Sequence, residues 1–384
     1  MQKQPLDYSK EPSRHTHQLI IRKDKPFNAE PRLQDLVKHY ITPDQFHFIR
    51  SHGPVPMHLD AATHFITINT HDNQSHQISV NDLINKFEKH HVMMAMQCAG
   101  NRRDGLHRVK HTKGVIWGAA AVGNAVYSGC RLKDVLETVG IHCRISNVQQ
   151  LHVAFASEEQ CEEDTCYGSS IPLCKALDEF GDVLLAYEMN HKPLTRDHGY
   201  PLRVVVPGYI GARSVKYLKS ITIQPYESSS YFQQRDYKLL PGKISNEKEA
   251  EAYWSKVPSI GEYNVQSYVC EPPNGETLQQ SEAKEIVVQG YALSGGGRSI
   301  QRVDVSSDNG ESWTIADLYQ PCVNDAAHAW GWCLWTAKVM CHPGVRIVSR
   351  AVDAAGNVQQ EYPVWNYRGV LNNAWRTVEA PSQL

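Results

Sequence analysis

IQRVDVSSDNGESWTIADL, residues 300–318, alternates apolar and polar side chains on both sides of Asn309-Gly310. That is the pattern of two half-buried strands about a turn, because successive side chains in a strand point to opposite faces and Asn-Gly accepts the backbone a tight turn needs. The same texture extends outward in both directions. VQSYVCEP and EIVVQGYAL precede the stretch, WCLWTAKV and RIVSRAVDAAGNVQ follow it, and Gly295-Gly296 marks another turn. Short alternating strands separated in this way predict an antiparallel, immunoglobulin-like β-sandwich over residues 241–384.

Upstream of about residue 240 the pattern is mixed. HFITIN (64–69) and SHQISV (75–80) predict strands around HDNQ, VNDLINKFEKH predicts a helix capped by Asn81, and RLKDVLETVG predicts a short helix closed by Gly140. PLRVVVPGYIGARSVKYLKSITI (201–223) carries β-branched runs broken at Pro207-Gly208 and Gly211, as for buried strands joined by a loop whose backbone approaches something closely. Its Arg203, Arg213 and Lys216 read as solvated surface charges, since such groups are seldom fully buried. Residues 1–45 are polar and Pro-punctuated and predict an extended arm. The chain is thus expected to be α+β, a mixed α/β domain over 1–240 followed by the sandwich.

With 384 residues, 41% apolar and 21% charged, the composition is that of an ordinary globular protein. A formal net charge of −2 supplies no basic field for nucleic acid, and no apolar run approaches the ~20 residues that span a bilayer. The 10 cysteines form no compact framework and the N-terminus has no apolar core of a signal peptide, so free thiols in a reducing compartment are expected. Cys161 and Cys166, five apart in an acidic loop, lack zinc spacing and read as a loop thiol pair.

MQCAGNRRDG (96–105) is different. It sets Cys98 at the end of the apolar run VMMAMQ and beside two arginines, and neighbouring cations favour the thiolate, the form that attacks carbon or binds metal. A Cys-His hydrolase would find a base among 19 histidines. It would leave the arginine pair without a purpose, whereas a soft metal on the thiolate remains open.

QCAGNRR, with IRSHGPVP (49–56) before it and RDHGYPLRVVVPGYIGARSVKYLKSI (196–221) after it, resembles the sulfite oxidase family of molybdenum enzymes. So do YEMNHKPL, the RDYK at 235–238, GYALSGGGRSIQRVDVS and VWNYRGVLNNAW, and the matching segments run from PFNAEP at residue 26 nearly to the end. The resemblance implies a molybdopterin-binding domain, a sandwich serving homodimerisation, and the molybdenum cofactor with Cys98 as its protein metal ligand. It implies a substrate pocket of Arg50, Arg103, Trp117, Tyr237 and Arg368. Pterin contacts would fall on Phe48, Ile49, Arg50, Ser51, His52, Glu159, His198, Arg203, Ser214, Val215 and Lys216. Ser51 stands where relatives commonly carry asparagine, and Glu159 where aspartate is expected.

The implied reaction is oxidation of sulfite to sulfate, with electrons passing to oxygen and forming hydrogen peroxide, as in the haem-free plant type. Arginine forks suit an oxyanion stripped of water better than lysine does. His342-Pro343-Gly344 resembles a haem-binding HPGG motif, but Val345 replaces the second glycine within a strand pattern, and no haem is expected. The final Ser-Gln-Leu resembles a peroxisomal address, with cytoplasm or mitochondrion as the other compartments. Two other functions fit parts of the chain. They are the molybdenum domain of a nitrate reductase, and a non-enzymatic anion-binding protein, which would leave Cys98 and the arginines unexplained.

Overall fold

The computed structural model describes residues 5–145, 147–273, 283–321, 328–341 and 344–376. The first half is built on two five-stranded sheets. In one, Lys192–Pro193, Leu184–Met189, Val122–Arg131 and His90–Gln97 lie side by side, with Arg203–Val205 also pairing to Leu184–Met189. In the other the order is Ser75–Ser79, Phe65–Asn69, Leu218–Gln224, His152–Ser157 and Gly168–Pro172, with Phe65–Asn69 and Leu218–Gln224 parallel. Between those two parallel strands the chain runs through the whole of the other sheet, Cys98 and the helix that begins at Arg103.

Short helices fill the connections. Val80–Lys86 is capped by Ser79 and not by Asn81: the Ser79 hydroxyl accepts from Asp82 N while the Asp82 carboxylate accepts from Ser79 N, a reciprocal capping box. Leu132–Thr138 ends as expected, Gly140 taking φ +80° and donating to Glu137 O. The arm expected over residues 1–45 is not without regular structure. Leu19–Lys23 and Asn28–Pro31 pair with each other and then with Ile49–Arg50, which anchors the Arg50 backbone in a three-stranded sheet.

The second half is a sandwich. Gln266–Glu271, Lys284–Leu293, Cys333–Cys341 and Asp317–Tyr319 form one antiparallel sheet, and Thr314–Ile315, Ile300–Ser306 and Val348–Asp353 the other. Inward residues of both, among them Val288, Trp335, Val303 and Ala351, make a common apolar core. Asn309 and Gly310 both have positive φ, as the opening stretch requires of them.

The two halves share apolar contacts. Tyr263, Tyr291 and Trp332 belong to the largest core cluster together with Ala99, Ala120 and Val370. After the sandwich the chain crosses back, Lys113 N donating to Tyr367 O and Leu371 N to Ala99 O, each at 2.9 Å. This return places Arg368 beside the turn that follows Cys98. Among the described residues no helix is long and apolar enough to cross a membrane.

Candidate functional site

Cys98 follows the buried strand His90–Gln97, and its N–H donates to Ala121 O at 2.9 Å. The turn behind it is pinned by Asn101, whose side chain accepts from Ala121 N at 3.0 Å and donates to the Tyr291 hydroxyl at 3.1 Å. Arg102 then adopts a left-handed φ of +64° and the helix Arg103–Val109 begins. The cost of that backbone is met by the Arg102 side chain, which donates to Ala374 O and lies over the Tyr268 ring.

Two cavities meet at the thiol. One, the narrower, is lined by His47, Phe48, Met96, Glu159, His198, Arg203, Ser214 and Lys216 among others. The other, wider, is lined by Arg103, Arg368, Lys113, Arg22, Lys23 and Asp236 among others. Arg50, His52, Cys98 and Tyr237 line both.

In the wider cavity three guanidiniums converge. Arg50 donates to Asn28 Oδ1 at 3.1 Å and to Ser51 O. Arg103 Nε donates to Arg368 O at 2.9 Å and to Gly369 O at 3.1 Å, and its Nη1 donates to Val115 O at 2.5 Å. Arg368 pairs with Asp236, Nη2 to Oδ1 at 2.5 Å. Burial, and with it the positive charges of Arg368 and Arg50, push Arg103 down to about 10, against an opposing pull from Cys98. Burial pulls Arg50 the same way, but the electrostatic influence of Tyr237, Cys98 and Asp236 offsets it and holds Arg50 above its ordinary value. A cluster of like charges held this close is costly when empty and is relieved by an anion.

Tyr237 comes directly after the π-helical turn Phe232–Asp236, a rare conformation that re-aims the side chains after it. Its hydroxyl is 2.9 Å from His52 Nε2. Burial, then the charges of Arg50, Lys216 and Arg368, hold His52 far below its usual range, so the imidazole is neutral. Burial likewise pushes the Tyr237 phenol up to about 12, and it stays protonated.

The narrower cavity is rich in unused hydrogen-bonding atoms. His47 Nε2, His198 Nε2 and Arg203 Nε are buried without a partner, which is costly unless a ligand supplies one. Burial pushes His198 down to about 3, with Lys216 and Arg203 adding to it, and takes His47 well below its ordinary range. Lys216 donates to Asp197 O at 2.9 Å. Burial, aided by Arg203 and Arg50 and opposed by Glu159 and Asp197, pushes it down to about 8. Glu159 Oε1 accepts from His52 N at 2.7 Å and from Gly53 N at 3.0 Å, so it fixes the loop bearing His52. These residues fit a polar, anionic ring system that offers both donors and acceptors. The thiol at one end fits a soft metal.

Of the residues singled out from sequence, Arg50, Cys98, Arg103, Tyr237 and Arg368 line the wider cavity. Phe48, Arg50, His52, Cys98, Glu159, His198, Arg203, Ser214 and Lys216 line the narrower one. Trp117 lines neither. It is fully buried in the apolar cluster of Phe48 and Cys98, with its ring edge-on to Phe48. Ile49 packs instead with Phe27 and Ala29, because alternate residues of its strand face opposite ways. Val215 joins the main core, and Ser51 meets Lys216 only at 3.4 Å, Oγ to Nζ. Arg203 and Arg213 are buried, not solvated: Arg203 donates to His198 O and Ser214 O, Arg213 donates to Ile260 O and Ser169 Oγ, and each keeps one nitrogen, Nε and Nη2 respectively, without a partner. Sequence reading missed His47, Met96, Tyr167 and Asp197, which also line the narrower cavity. His47 and Asp197 each adjoin a residue that it did single out, and adjacency was the available signal.

Cys98 is a free thiol, and the described residues hold no group of three or more His, Cys, Asp or Glu suited to a metal. A metal held here therefore depends on Cys98 and a non-protein partner. His342 and Pro343, of the haem-like tripeptide, lie outside the described residues.

Residues 52–232 match the family model for an oxidoreductase molybdopterin binding domain, and residues 257–382 that for a Mo-co oxidoreductase dimerisation domain. The chain is 40% identical to a sulfite oxidase of Arabidopsis thaliana, over 97% of this chain and 96% of that one. It is 43% identical to a mitochondrial sulfite oxidase of Homo sapiens, over 97% of this chain and 67% of that one. Among solved structures, the sulfane dehydrogenase SoxCD from Paracoccus pantotrophus superposes with a TM-score of 0.74 at 23% identity, covering 92% of this chain and 84% of that chain.

Proposed function

The chain belongs to the sulfite oxidase family of molybdenum oxidoreductases, and from that membership we propose how its own residues carry the reaction. It is an oxidoreductase that takes sulfite and water to sulfate, releasing two protons and two electrons. The observation that carries the assignment of roles is the position of Cys98, at the junction of a cavity lined by unpartnered polar atoms and a cavity lined by arginines.

The molybdenum–pterin group, when bound, supplies the two-electron acceptor and the oxygen-transfer chemistry. Cys98 would be its protein metal ligand. Arg203 and Lys216 would meet its phosphate, and His47 and His198 its ring nitrogens and oxygens. Lys216 would be held cationic by that phosphate, which reverses the effect of burial.

Arg50, Arg103 and Arg368 bind the sulfite oxygens and hold the anion with its sulfur toward Cys98. The charge they present is fixed in advance by carbonyls of Ser51, Arg368, Gly369 and Val115, so no reorganisation is needed as sulfate forms. Tyr237, protonated and tied to neutral His52, is a hydrogen-bond donor to the anion and not a base. Trp117 supports this arrangement from the apolar side, its carbonyl accepting from Asp104 N at the start of the Arg103 helix.

The finer assignments rest on resemblance. We take oxygen as the acceptor, reduced by two electrons and two protons to hydrogen peroxide, because the plant relative is matched over nearly its whole length. Residues 1–240 are taken as the cofactor-binding catalytic domain. Residues 241–384 form the homodimer contact, a reading supported by the dimerisation model across 257–382. The final Ser-Gln-Leu, outside the described residues, is assigned as a peroxisomal address, and deleting it from an N-terminally tagged chain should disperse the label into cytosol.

The deciding experiment is steady-state turnover of metal-analysed protein with sulfite, comparing oxygen, ferricyanide and cytochrome c. Sulfate formation with stoichiometric peroxide under oxygen is expected. Nitrite from nitrate with a reduced dye, without sulfite oxidation, would overturn the reading, as would protein purified with neither molybdenum nor pterin.

A further inference from the structure

Arg213 closes the short turn Gly211–Arg213, and its neighbours Ala212 and Ser214 line the narrower cavity. Its own side chain turns away from that cavity. Nε donates to Ile260 O at 2.8 Å, and Nη1 donates to Ser169 Oγ at 2.9 Å and to Gln233 Oε1. All three acceptors are neutral and Nη2 has no partner, although the residue is only 1% exposed.

Each contact leads to Tyr237. Gln233 lies in the π-helical turn that directly precedes Tyr237, and its Oε1 also accepts from Ser169 Oγ at 2.9 Å and Ser170 N at 3.1 Å. Ile260 N donates to Tyr237 O at 2.9 Å. The guanidinium carbon lies 5.9 Å from the centroid of the Tyr237 ring, within range of a cation–π contact. A guanidinium buried on neutral acceptors recovers its desolvation poorly, so packing alone gives little reason for it here. Its rigid fork is suited to holding several groups in one geometry.

We infer that Arg213 is a positioning residue for Tyr237, locking the cofactor-lining turn 211–214 to the π-helical turn and the Ile260 segment that hold the tyrosine. The inference rests on the role proposed above for Tyr237. With the lock in place, the hydroxyl keeps its register against His52, Arg50 and Cys98, so cofactor loop and substrate pocket form one rigid unit.

The test is a double-mutant cycle on holoenzyme, with Gln233→Met and Arg213→Lys each made alone and on Tyr237→Phe. Turnover, the KM for sulfite, molybdenum and pterin content, and the unfolding midpoint are read for each. Gln233→Met is expected to lower kcat about tenfold at unchanged molybdenum content, and to cost nothing further on Tyr237→Phe. Arg213→Lys should follow the same pattern. Additive losses in the cycle, or activity that falls only in step with molybdenum content, would overturn the inference, since both mark a purely structural role. Tyr237→Phe without any effect of its own would overturn it by removing the role on which it rests.

Discussion

The guanidinium of Arg103 occupies the space that a Cβ on Gly100 would fill, its Nη2 lying 2.5 Å from that point. Gly114 and Gly369 close on the same side chain from other directions, their Cβ positions 2.9 and 2.6 Å from it. Three glycines, one in the same turn and two from further along the chain, thus leave room for one arginine to reach the cavity. Gly100→Ala leaves the backbone little disturbed, because the atom that must yield is the tip of Arg103. Arg103 then leaves its carbonyl partners. The KM for sulfite is expected to rise about ten- to a hundredfold at unchanged molybdenum content, and the unfolding midpoint to fall as the buried carbonyls lose their donor. Steady-state kinetics with metal analysis checks this, and an unchanged KM counts against Arg103 as an anion contact.

Cys98→Ser separates metal binding from folding. The side chain is small and buried at the end of an intact strand, and its backbone N–H remains paired to Ala121 O, so a stability change within about 1.5 kcal/mol is expected. A serine hydroxyl is a poor ligand for a soft metal. Sulfite oxidation should vanish while circular dichroism and dimer mass stay the same. Retained turnover would remove Cys98 from the metal's coordination.

The sandwich was legible because one face of each sheet is wet. Cys333–Cys341 alternates buried and less buried residues along almost its whole length, and period two survives into the sequence. Val122–Arg131, buried at nearly every position on a sheet covered on both sides, shows no such alternation and went unnoticed. The helix cap was misplaced by two residues because Ser79 and Asn81 are both good caps, and only Asp82, three beyond Ser79, distinguishes them. Within the site, Cys98 and Arg103 were found from their own neighbourhood. Arg368 bonds Arg103 from 265 residues away, and no local pattern reports such a contact, so only the family resemblance reached it. Arg213 was misread for a physical reason: a charge buried on neutral acceptors looks in sequence like any surface charge.

Lys216 gives opposite pH signatures in the empty and loaded protein. Its folded value, pushed down to about 8, lies below the 10.5 of a free lysine, so between those values the unfolded chain binds more protons. Stability of the empty protein contributed by this group therefore rises with pH across that window, and the full penalty of the buried charge is present below it. An anionic cofactor wants the charge, so its retention is expected to weaken as pH rises through about 8 and beyond. Pterin release followed by fluorescence from pH 7 to 10, in wild type and Lys216→Met, checks the sign. The variant should hold the cofactor less tightly throughout and lose the pH dependence, and identical slopes would exclude Lys216 as its source.

Asp236→Asn tests how the positive cavity is balanced. Asp236 is the carboxylate paired with Arg368, the contact of 2.5 Å being nearly buried on both sides, and Arg368 Nε also donates to Asp236 O at 3.3 Å. Neutralising Asp236 keeps the shape but leaves three guanidiniums facing one another, and breaking a buried pair from one side costs about 3 kcal/mol. The unfolding midpoint of the free enzyme should fall accordingly. Sulfate or sulfite supplies the missing charge, so added anion is expected to restore more stability to Asp236→Asn than to wild type. Thermal unfolding with and without millimolar sulfate reads the difference directly, and equal shifts in the two proteins would mean that Arg368 does not meet the anion.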